Sequence, residues 1–431
     1  MNVIFACGGT GGHINPAIAV ANIWKERYPD SNILFVGGEG GLEQQLVPKA
    51  GFELFAVPAD GFDRRMSLKG ICNNFKAVAG NFKSVRMCKK LIREFKPDVI
   101  VGTGGYASFP ALMAGIMMKV PTCVHEANAY PGMTTKLVAR WVDRVLVCFP
   151  ESAKYYKNPE KVEVVGMPVK REFIYTKKED ARRELGLDDR PVVASAFGSQ
   201  GAENMNWEIG KLFKLEQDAG FPFQHIHAVG SYGWRWMDCY VRDQGVEPDT
   251  ADAIRMTEYI YNMPTVMAAA DIFISRAGAA SCNEIAVSGT PCILIPSPNV
   301  TNTHQQVNAQ AYVDKGAAVM VLQKECTAER LMEEINALLN DKQRYSDMCK
   351  ALQDIAIPDC AERVCRIMEK LAKRFVYLKY GIASVLVFTG VKLLTAMFDC
   401  RISTLGSICF ILAALSAGMV ASLFATKKGN V

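Results

Sequence analysis

The 431-residue chain has no C-x-x-C pair among its fourteen cysteines, no aspartate-x-aspartate pair beside its glycine-rich loops, and five histidines. Without paired cysteine spacing, a zinc ribbon or thioredoxin-type redox centre is excluded, and the chain is too long to depend on a disulfide framework. The cysteines are therefore read as reduced, mostly buried thiols. Without clustered aspartates near a phosphate-type loop, nothing is arranged to hold a divalent cation, so chemistry without a metal or other cofactor is expected. Net charge is only +5, too small to indicate nucleic acid without a localised patch. No short repeat or low-complexity tract is present, which disfavours solenoids. The first residues carry no charged leader, apolar run and small-residue cleavage site in succession, so a cytoplasmic setting is expected for the bulk of the chain.

Short apolar runs alternate with helical patterns. The predicted strands are 3–6, 33–36, 54–57, 99–101, 122–124, 145–147 and 162–165, then 192–197, 224–229, 255–259, 272–275, 292–295 and 318–321. Such alternation predicts an α/β chain with doubly wound parallel sheets. A charged stretch after Gly166-Met167-Pro168-Val169 separates two series. The expected units are therefore 1–166, 167–357, a helix within 358–374 that either returns to the first unit or leads onward, and an apolar tail, 375–431. Two similar halves make the cleft between them the default site.

The loop Cys7-Gly8-Gly9-Thr10-Gly11-Gly12-His13 joins the first strand to a helix start. Bare backbone amides and a helix N-terminus there suit an anion or a sugar, and His13 is a candidate general base. Two further loops of the first half follow strands: Gly102-Thr103-Gly104-Gly105-Tyr106 and His125-Glu126-Ala127-Asn128. His125 reads either as a structural hydrogen-bonding group or as a sugar contact. In the second half, Gly198-Ser199-Gln200-Gly201 and Arg276-Ala277-Gly278-Ala279-Ala280-Ser281 both lead into helices, as diphosphate-binding loops do. Glu284 lies farther along that helix, placed either to accept from ribose hydroxyls or to face solvent. Gln305 and Asn308 carry amides that both donate and accept, which suits neutral sugar hydroxyls. His225 and His227 fall in a predicted strand and receive no role.

Residues 63–96 hold ten basic side chains against two acidic ones, with Phe75, Val78, Phe82, Val85 and Met87 interleaved. The pattern reads as a basic amphipathic surface for a membrane, or as a solvated helix face. In the tail, 380–398 is apolar apart from Lys392, and 402–425 is 24 residues without a charge. Lys370, Lys373, Arg374 and Lys379 precede the pair, and Lys427 and Lys428 follow it. A helical hairpin inserted in the membrane with both ends on the cytoplasmic side is expected, an interfacial helix pair being the other reading.

Taken together, the stretches GGTGGHINPAIAVA, GTGGYASFPALMAG, HEANAYPGMTTKLVAR, FGSQGAENMN, SRAGAASCNEIAVSGTPCILIP and THQQVNAQ resemble the MurG family of UDP-N-acetylglucosamine:lipid I N-acetylglucosaminyltransferases over residues 1–370. The resemblance implies a GT-B fold, with lipid I held mainly by the first domain and UDP-N-acetylglucosamine mainly by the second. It implies an inverting transfer to the 4-hydroxyl of N-acetylmuramic acid, with His13, or a neighbour acting through water, as base. Thr10, Gly11 and Gly12 would line the cleft, and Tyr106, His125 and Asn128 would recognise sugar or acceptor. Ser199 and the loop Arg276, Ala277, Gly278, Ala279 and Ser281 would hold diphosphate. The Ile260 backbone would meet uracil, Glu284 the ribose, and Gln305 with Asn308 the N-acetylglucosamine hydroxyls. Lys170 stands where the family pattern has arginine, keeping the charge but losing the bidentate fork. Expected partners are the two substrates, membrane lipids and other cell-wall synthesis proteins, at the cytoplasmic face of the cell membrane. Readings from other classes are a different lipid glycosyltransferase, a UDP-N-acetylglucosamine 2-epimerase and an inactive membrane scaffold.

Overall fold

The computed structural model describes residues 1–58, 68–247, 252–300, 303–373, 378–396 and 403–427. Each of the thirteen expected strands forms, within a residue or two at either end. The first seven are β1 (Asn2–Ala6), β2 (Asn32–Gly38), β3 (Glu53–Val57), β4 (Val99–Gly102), β5 (Thr122–Glu126), β6 (Arg144–Val147) and β7 (Val162–Val164). They make a parallel sheet in the order β3-β2-β1-β4-β5-β6-β7. The other six are β8 (Val192–Ala196), β9 (Gln224–Ala228), β10 (Ile254–Thr257), β11 (Ile272–Ser275), β12 (Cys292–Leu294) and β13 (Val319–Met320). Their order is β10-β9-β8-β11-β12-β13, again parallel throughout.

The central strands, such as β1, β4, β5, β11 and β12, are buried on both faces because helices cover each side, as crossover connections in parallel sheets require, while the edge strands β3, β7, β10 and β13 are only partly buried. Strand order reverses between β1 and β4 in the first sheet and between β8 and β11 in the second. Loops leaving the carboxyl ends of strands beside such a reversal splay apart and open a crevice. The glycine-rich loops picked out from sequence leave β1, β4, β8 and β11, so the topology brings them to the two crevices.

The helix Cys360–Ala372 returns to the first sheet. Val364, Cys365, Met368 and Leu371 bury against Trp24, Val20 and their neighbours, and Arg27 pairs with Glu369 at 2.8 Å. Each large apolar side chain so buried stabilises the docking by roughly 1.5–3 kcal/mol. The chain thus crosses between the halves twice, and the crossings touch. Gly166 has φ +78°, and a Cβ there would sit 2.8 Å from Ile357 Cβ. Of the twelve cysteines whose side chains are described, nine are buried and none is bridged.

The tail folds as two helices, Leu378–Ala396 and Thr404–Lys427, packed as a hairpin through the Phe388–Phe410 stack at 4.2 Å and a 2.7 Å bond from Lys392 Nζ to Ser407 Oγ. Among the described residues no helix is long and apolar enough to cross a membrane. A lysine sits well inside the first helix and uses its ammonium to hold the second. In the basic segment, the helix Leu68–Phe95 forms, whereas Arg64 and Arg65 lie outside the described residues. Phe82 is 70% exposed on that helix, and Lys83, Arg86, Lys90 and Arg93 are exposed with it.

Candidate active site

On the first sheet, β1 ends in the glycine loop and the helix Gly11–Arg27 begins. Its N-cap, Thr10, is extended and makes no side-chain cap bond, so the first-turn amides of Gly11 and Gly12 have no capping acceptor. His13, in the first turn, places Nδ1 3.1 Å from the Thr103 carbonyl, while Thr103 Oγ1 donates to the His13 carbonyl at 2.6 Å. A carbonyl can only accept, so the ring carries its proton on Nδ1 and presents Nε2 as a lone pair. Burial pushes the His13 pKa below its ordinary value, against the pull of the Glu126 carboxylate and the Thr103 carbonyl. A neutral imidazole with an accepting Nε2 is the form that a general base needs.

This contact depends on the loop after β4. Gly104 has φ +101°, and a Cβ on it would lie 2.6 Å from His13 Nδ1. Any other residue would displace the imidazole. Tyr106, 37% exposed, lies over the first loop, its Cε1 3.3 Å from where a Gly9 Cβ would be.

On the second sheet, a cavity of about 140 Å³ opens at the carboxyl ends of the strands. Ser199, Tyr259, Ile260, Met263, Ser281 and Glu284 line it. Four of these six were picked out from sequence; Tyr259 and Met263 were not. Helices Glu203–Asp218 and Ala279–Ser288 begin there, with Ala202 and Gly278 as N-caps that make no side-chain bond. Two uncapped helix starts favour negative charge between them. Ala277 and Ala279 are buried, so that loop offers its backbone. Arg276 Nη1 donates to the Ile295 carbonyl at 3.1 Å, with its guanidinium 5.7 Å from the Phe197 ring centroid. Burial raises the Glu284 pKa, and the Lys170 ammonium opposes that rise. The lysine that replaces an expected arginine therefore acts electrostatically on the carboxylate of the cavity. Gln305 Oε1 accepts from Ser297 N at 2.8 Å. Among the described residues no cluster of three or more His, Cys, Asp or Glu side chains could hold a metal ion.

Two expected sugar contacts are engaged elsewhere. His125 is 3% exposed, and its Nε2 donates to the Gly166 carbonyl at 2.9 Å, so it grips the crossover between the halves. Asn308 is fully buried; both its amide hydrogens go to protein carbonyls, Ala277 O at 3.1 Å and Asn128 Oδ1 at 3.3 Å. It therefore has no donor left for a sugar hydroxyl. Asn128 in turn donates through Nδ2 to Glu126 at 3.3 Å.

Sequence reasoning missed two carboxylates. Glu126 accepts from the backbone amides of Asn128 and Gly132 at 3.0 and 2.9 Å. Glu43, fully buried, accepts from Gly38 N at 2.7 Å and Gly9 N at 3.2 Å. The only prior sign of Glu43 was the glycine density around it. A Cβ at Gly8, Gly37 or Gly41 would fall within 2.5 Å of its side chain. His225 and His227 join a buried chain in the second core: Glu216 to His225 at 2.7 Å, His225 to Ser195 at 2.8 Å, Ser195 to His227 at 2.7 Å and His227 to Asn206 at 3.2 Å.

Two parallel α/β sheets, each with helix N-termini and glycine loops at its reversal point, are the architecture of the two-domain glycosyltransferases, and the family matches place the chain in that class. Residues 3–147 match the glycosyltransferase family 28 N-terminal domain, and residues 194–364 match the family's C-terminal domain. The UDP-N-acetylglucosamine--N-acetylmuramyl-(pentapeptide) pyrophosphoryl-undecaprenol N-acetylglucosamine transferase of Acetivibrio thermocellus is 40% identical over 375 residues, 86% of this chain and 99% of that protein. The enzyme of the same name from Bacillus cytotoxicus is 37% identical over 87% of this chain and all of that protein. Among solved structures, Acinetobacter baumannii MurG superposes with a TM-score of 0.69 at 23% identity, covering 86% of this chain and 99% of that one. The UDP-GlcNAc 2-epimerase of Neisseria meningitidis reaches 0.60 at 15% identity, over 86% of this chain and all of that one, a likeness of fold alone. The chain belongs to glycosyltransferase family 28 and, within it, to the MurG family.

Proposed function

We infer that this chain transfers N-acetylglucosamine from UDP-N-acetylglucosamine to the 4-hydroxyl of the N-acetylmuramyl residue of lipid I, forming lipid II. The observation that carries the reading is the His13 imidazole, held by Thr103 with Nε2 unprotonated, in a chain 40% identical to a named transferase along nearly that enzyme's whole length. The acceptor oxygen attacks the anomeric carbon as the bond to the diphosphate breaks. The hydroxyl proton passes to His13 Nε2, and UDP departs with the bonding pair. The uncapped helix starts at Glu203 and Ala279 stabilise the charge that builds on the leaving diphosphate. Ser199 and Ser281 contact that diphosphate, Ile260 the uracil, Glu284 the ribose and Gln305 the sugar. Thr10, Gly11, Gly12 and Tyr106 receive the acceptor.

A lipid-linked acceptor requires work at a membrane surface, on its cytoplasmic side. The exposed basic face carrying Phe82 and the tail hairpin, on which Leu386, Val387, Leu393 and Leu394 are all more than half exposed, support attachment there. Deleting the chain from Phe375 onward is expected to weaken partition onto vesicles containing anionic lipid; unchanged partition overturns the tail's part in attachment. For the reaction itself, UDP release from UDP-N-acetylglucosamine is measured with and without a lipid I analogue. Acceptor-dependent release that Glu284→Ala abolishes supports the assignment, and acceptor-independent behaviour in folded protein overturns it.

A further inference from the structure

The register of the second sheet sets Ser195 of β8 opposite His227 of β9, and His225 lies two residues earlier on the same face. The helix Glu203–Asp218 supplies both ends of the buried chain that runs through these side chains, Asn206 and Glu216, about 15 Å apart along its axis. At one end, Asn206 Nδ2 donates to the Val229 carbonyl at 2.9 Å. Val229 opens the loop after β9, which reaches two walls of the cavity lined by Ser199 and Glu284. Ser231 N and Tyr232 N donate to the carbonyls of Ser199 and Gln200 at 3.3 and 3.2 Å. Gly230 N donates to that of Glu258 at 3.0 Å, one residue before the cavity-lining Tyr259. The approach is close: a Cβ on Gly201, at φ +78°, would lie 2.2 Å from the Val229 carbonyl oxygen.

The hydrogens of the chain can run in one direction only. A carbonyl accepts, so Asn206 turns Nδ2 to Val229 and Oδ1 to His227, whose Nε2 must then carry a proton. Burial and the neighbouring His225 push the His227 pKa down to about 3, which leaves its Nδ1 a lone pair. Ser195 therefore donates to His227 Nδ1 and accepts from His225 Nε2. Nδ1 of His225 meets Glu216 either as an imidazolium beside a carboxylate or as a lone pair beside a carboxylic acid. Both forms hold one proton on the pair. Burial raises the Glu216 pKa in keeping with this, against the pull of His225, and His225 is the titratable group that acts on both Glu216 and His227.

We propose that Ser195 and His227 are positioning residues for the UDP-sugar: a proton shared by Glu216 and His225 lets the chain point toward Asn206, and Asn206 holds the loop that keeps two walls of the cavity in register. None of Ser195, His225, His227 and Glu216 lines the cavity, so their effect on a ligand passes through that loop. A reversed chain would turn Asn206 Oδ1 to the Val229 carbonyl, two acceptors opposed in a buried site, and the loop would lose its anchor.

The inference rests on the UDP-sugar reading of this cavity, and UDP is the probe. UDP affinity by calorimetry, amide exchange of residues 229–232 and nitrogen-15 shifts of the His227 ring are measured on the full chain in wild type, Ser195→Ala and Glu216→Gln. Wild-type His227 carries its proton on Nε2 at pH 7. Ser195→Ala frees the ring to take either tautomer; UDP Kd and donor KM rise by about tenfold, exchange of the segment speeds severalfold, and kcat stays within about twofold. Glu216→Gln offers His225 Nδ1 a neutral donor, as the acid does, and keeps both the tautomer and, within about twofold, the UDP Kd.

An unchanged UDP Kd in folded Ser195→Ala, whatever its melting temperature, makes the chain a matter of core stability and overturns the proposal. A wild-type His227 protonated on Nδ1, or a Glu216→Gln protein that loses UDP as Ser195→Ala does, overturns the shared proton and the direction it sets. Should Ser195→Ala not fold, Asn206→Asp keeps an acceptor for His227 and loses the donor to Val229, and wild-type UDP affinity there is equally fatal. Wild-type protein that binds no UDP would instead remove the reading of the cavity, while the His227 tautomer and the exchange of 229–232 still decide the relay.

Discussion

Glu43 gives the most direct test of how the first loop is held. Its two carboxylate oxygens accept from Gly38 N and Gly9 N at 2.7 and 3.2 Å, with no solvent exposure. Glu43→Gln changes almost no volume but leaves a single acceptor oxygen. Whichever way the amide turns, one backbone N–H then faces an NH₂ group, two donors opposed in a buried site. Loss of one charge-assisted bond costs about 1.5–3 kcal/mol, and stranding a buried donor about 1–3 kcal/mol. Because these overlap, a net destabilisation of roughly 2–4 kcal/mol is expected. For a half of this size that lowers the melting temperature by about 5–15 °C. The freed loop carries Thr10 and leads into His13, so kcat falls between about ten- and a hundredfold. The donor KM is expected to stay near wild type, since the cavity lined by Ser199 and Glu284 lies on the other sheet. Thermal unfolding by circular dichroism and steady-state UDP release read both effects. A Glu43→Gln protein with wild-type melting and turnover would refute the role given to this carboxylate.

Glu284→Gln is expected to raise the donor KM by about 10–100-fold, the loss of a charge-assisted contact in the cavity, and an unchanged donor KM would remove Glu284 from the site. Since burial lowers the His13 pKa from 6.5 and the base must be unprotonated, kcat/KM should stay level from neutral pH downward and fall only below the ordinary histidine range. His13→Ala should cost about 10²–10⁴ in kcat and abolish that acid limb; a limb that survives the substitution assigns the proton transfer elsewhere. Burial also lowers the His227 pKa from 6.5 to about 3. Between those values the unfolded chain binds the proton that the folded chain refuses. Stability is therefore full above the unfolded value and declines as pH drops through this window, by an amount on the order of a few kcal/mol. Urea unfolding at pH 7 and pH 5 checks the sign, and a His227→Gln protein with an equally steep pH dependence would contradict the assignment to this ring.

Much of the architecture was legible because each signal was local. Parallel strands buried on both faces read as short Val/Ile runs, as in Val99-Ile100-Val101, and the glycine loops follow them directly. Once the strands alternate with helices, few strand orders remain, and loops such as Gly198–Ala202 and Arg276–Ser281 fall at the reversal points. Tyr259 and Met263 escaped because they carry no motif; they reach the cavity only through the position of the loop after β10. In the tail, likewise, a count of uncharged residues cannot see that Lys392 turns inward to Ser407.

The sequence by itself determined two α/β series, the glycine-rich loops that leave their strands and the histidine at the end of the first of those loops, since each depends on residues adjacent along the chain. Tertiary structure alone decided which polar groups are free to meet a ligand. Gly104 makes room for His13 from about ninety residues away, Glu43 reaches back to Gly9, and Asn308 spends its amide between Ala129 and Ala277. The reason is that a hydrogen-bonding side chain is defined by its nearest partner in space, and in a parallel sheet with two crossovers those partners come from distant segments. Side-chain type shows what a residue can bind; only the packed chain shows whether that capacity is already used.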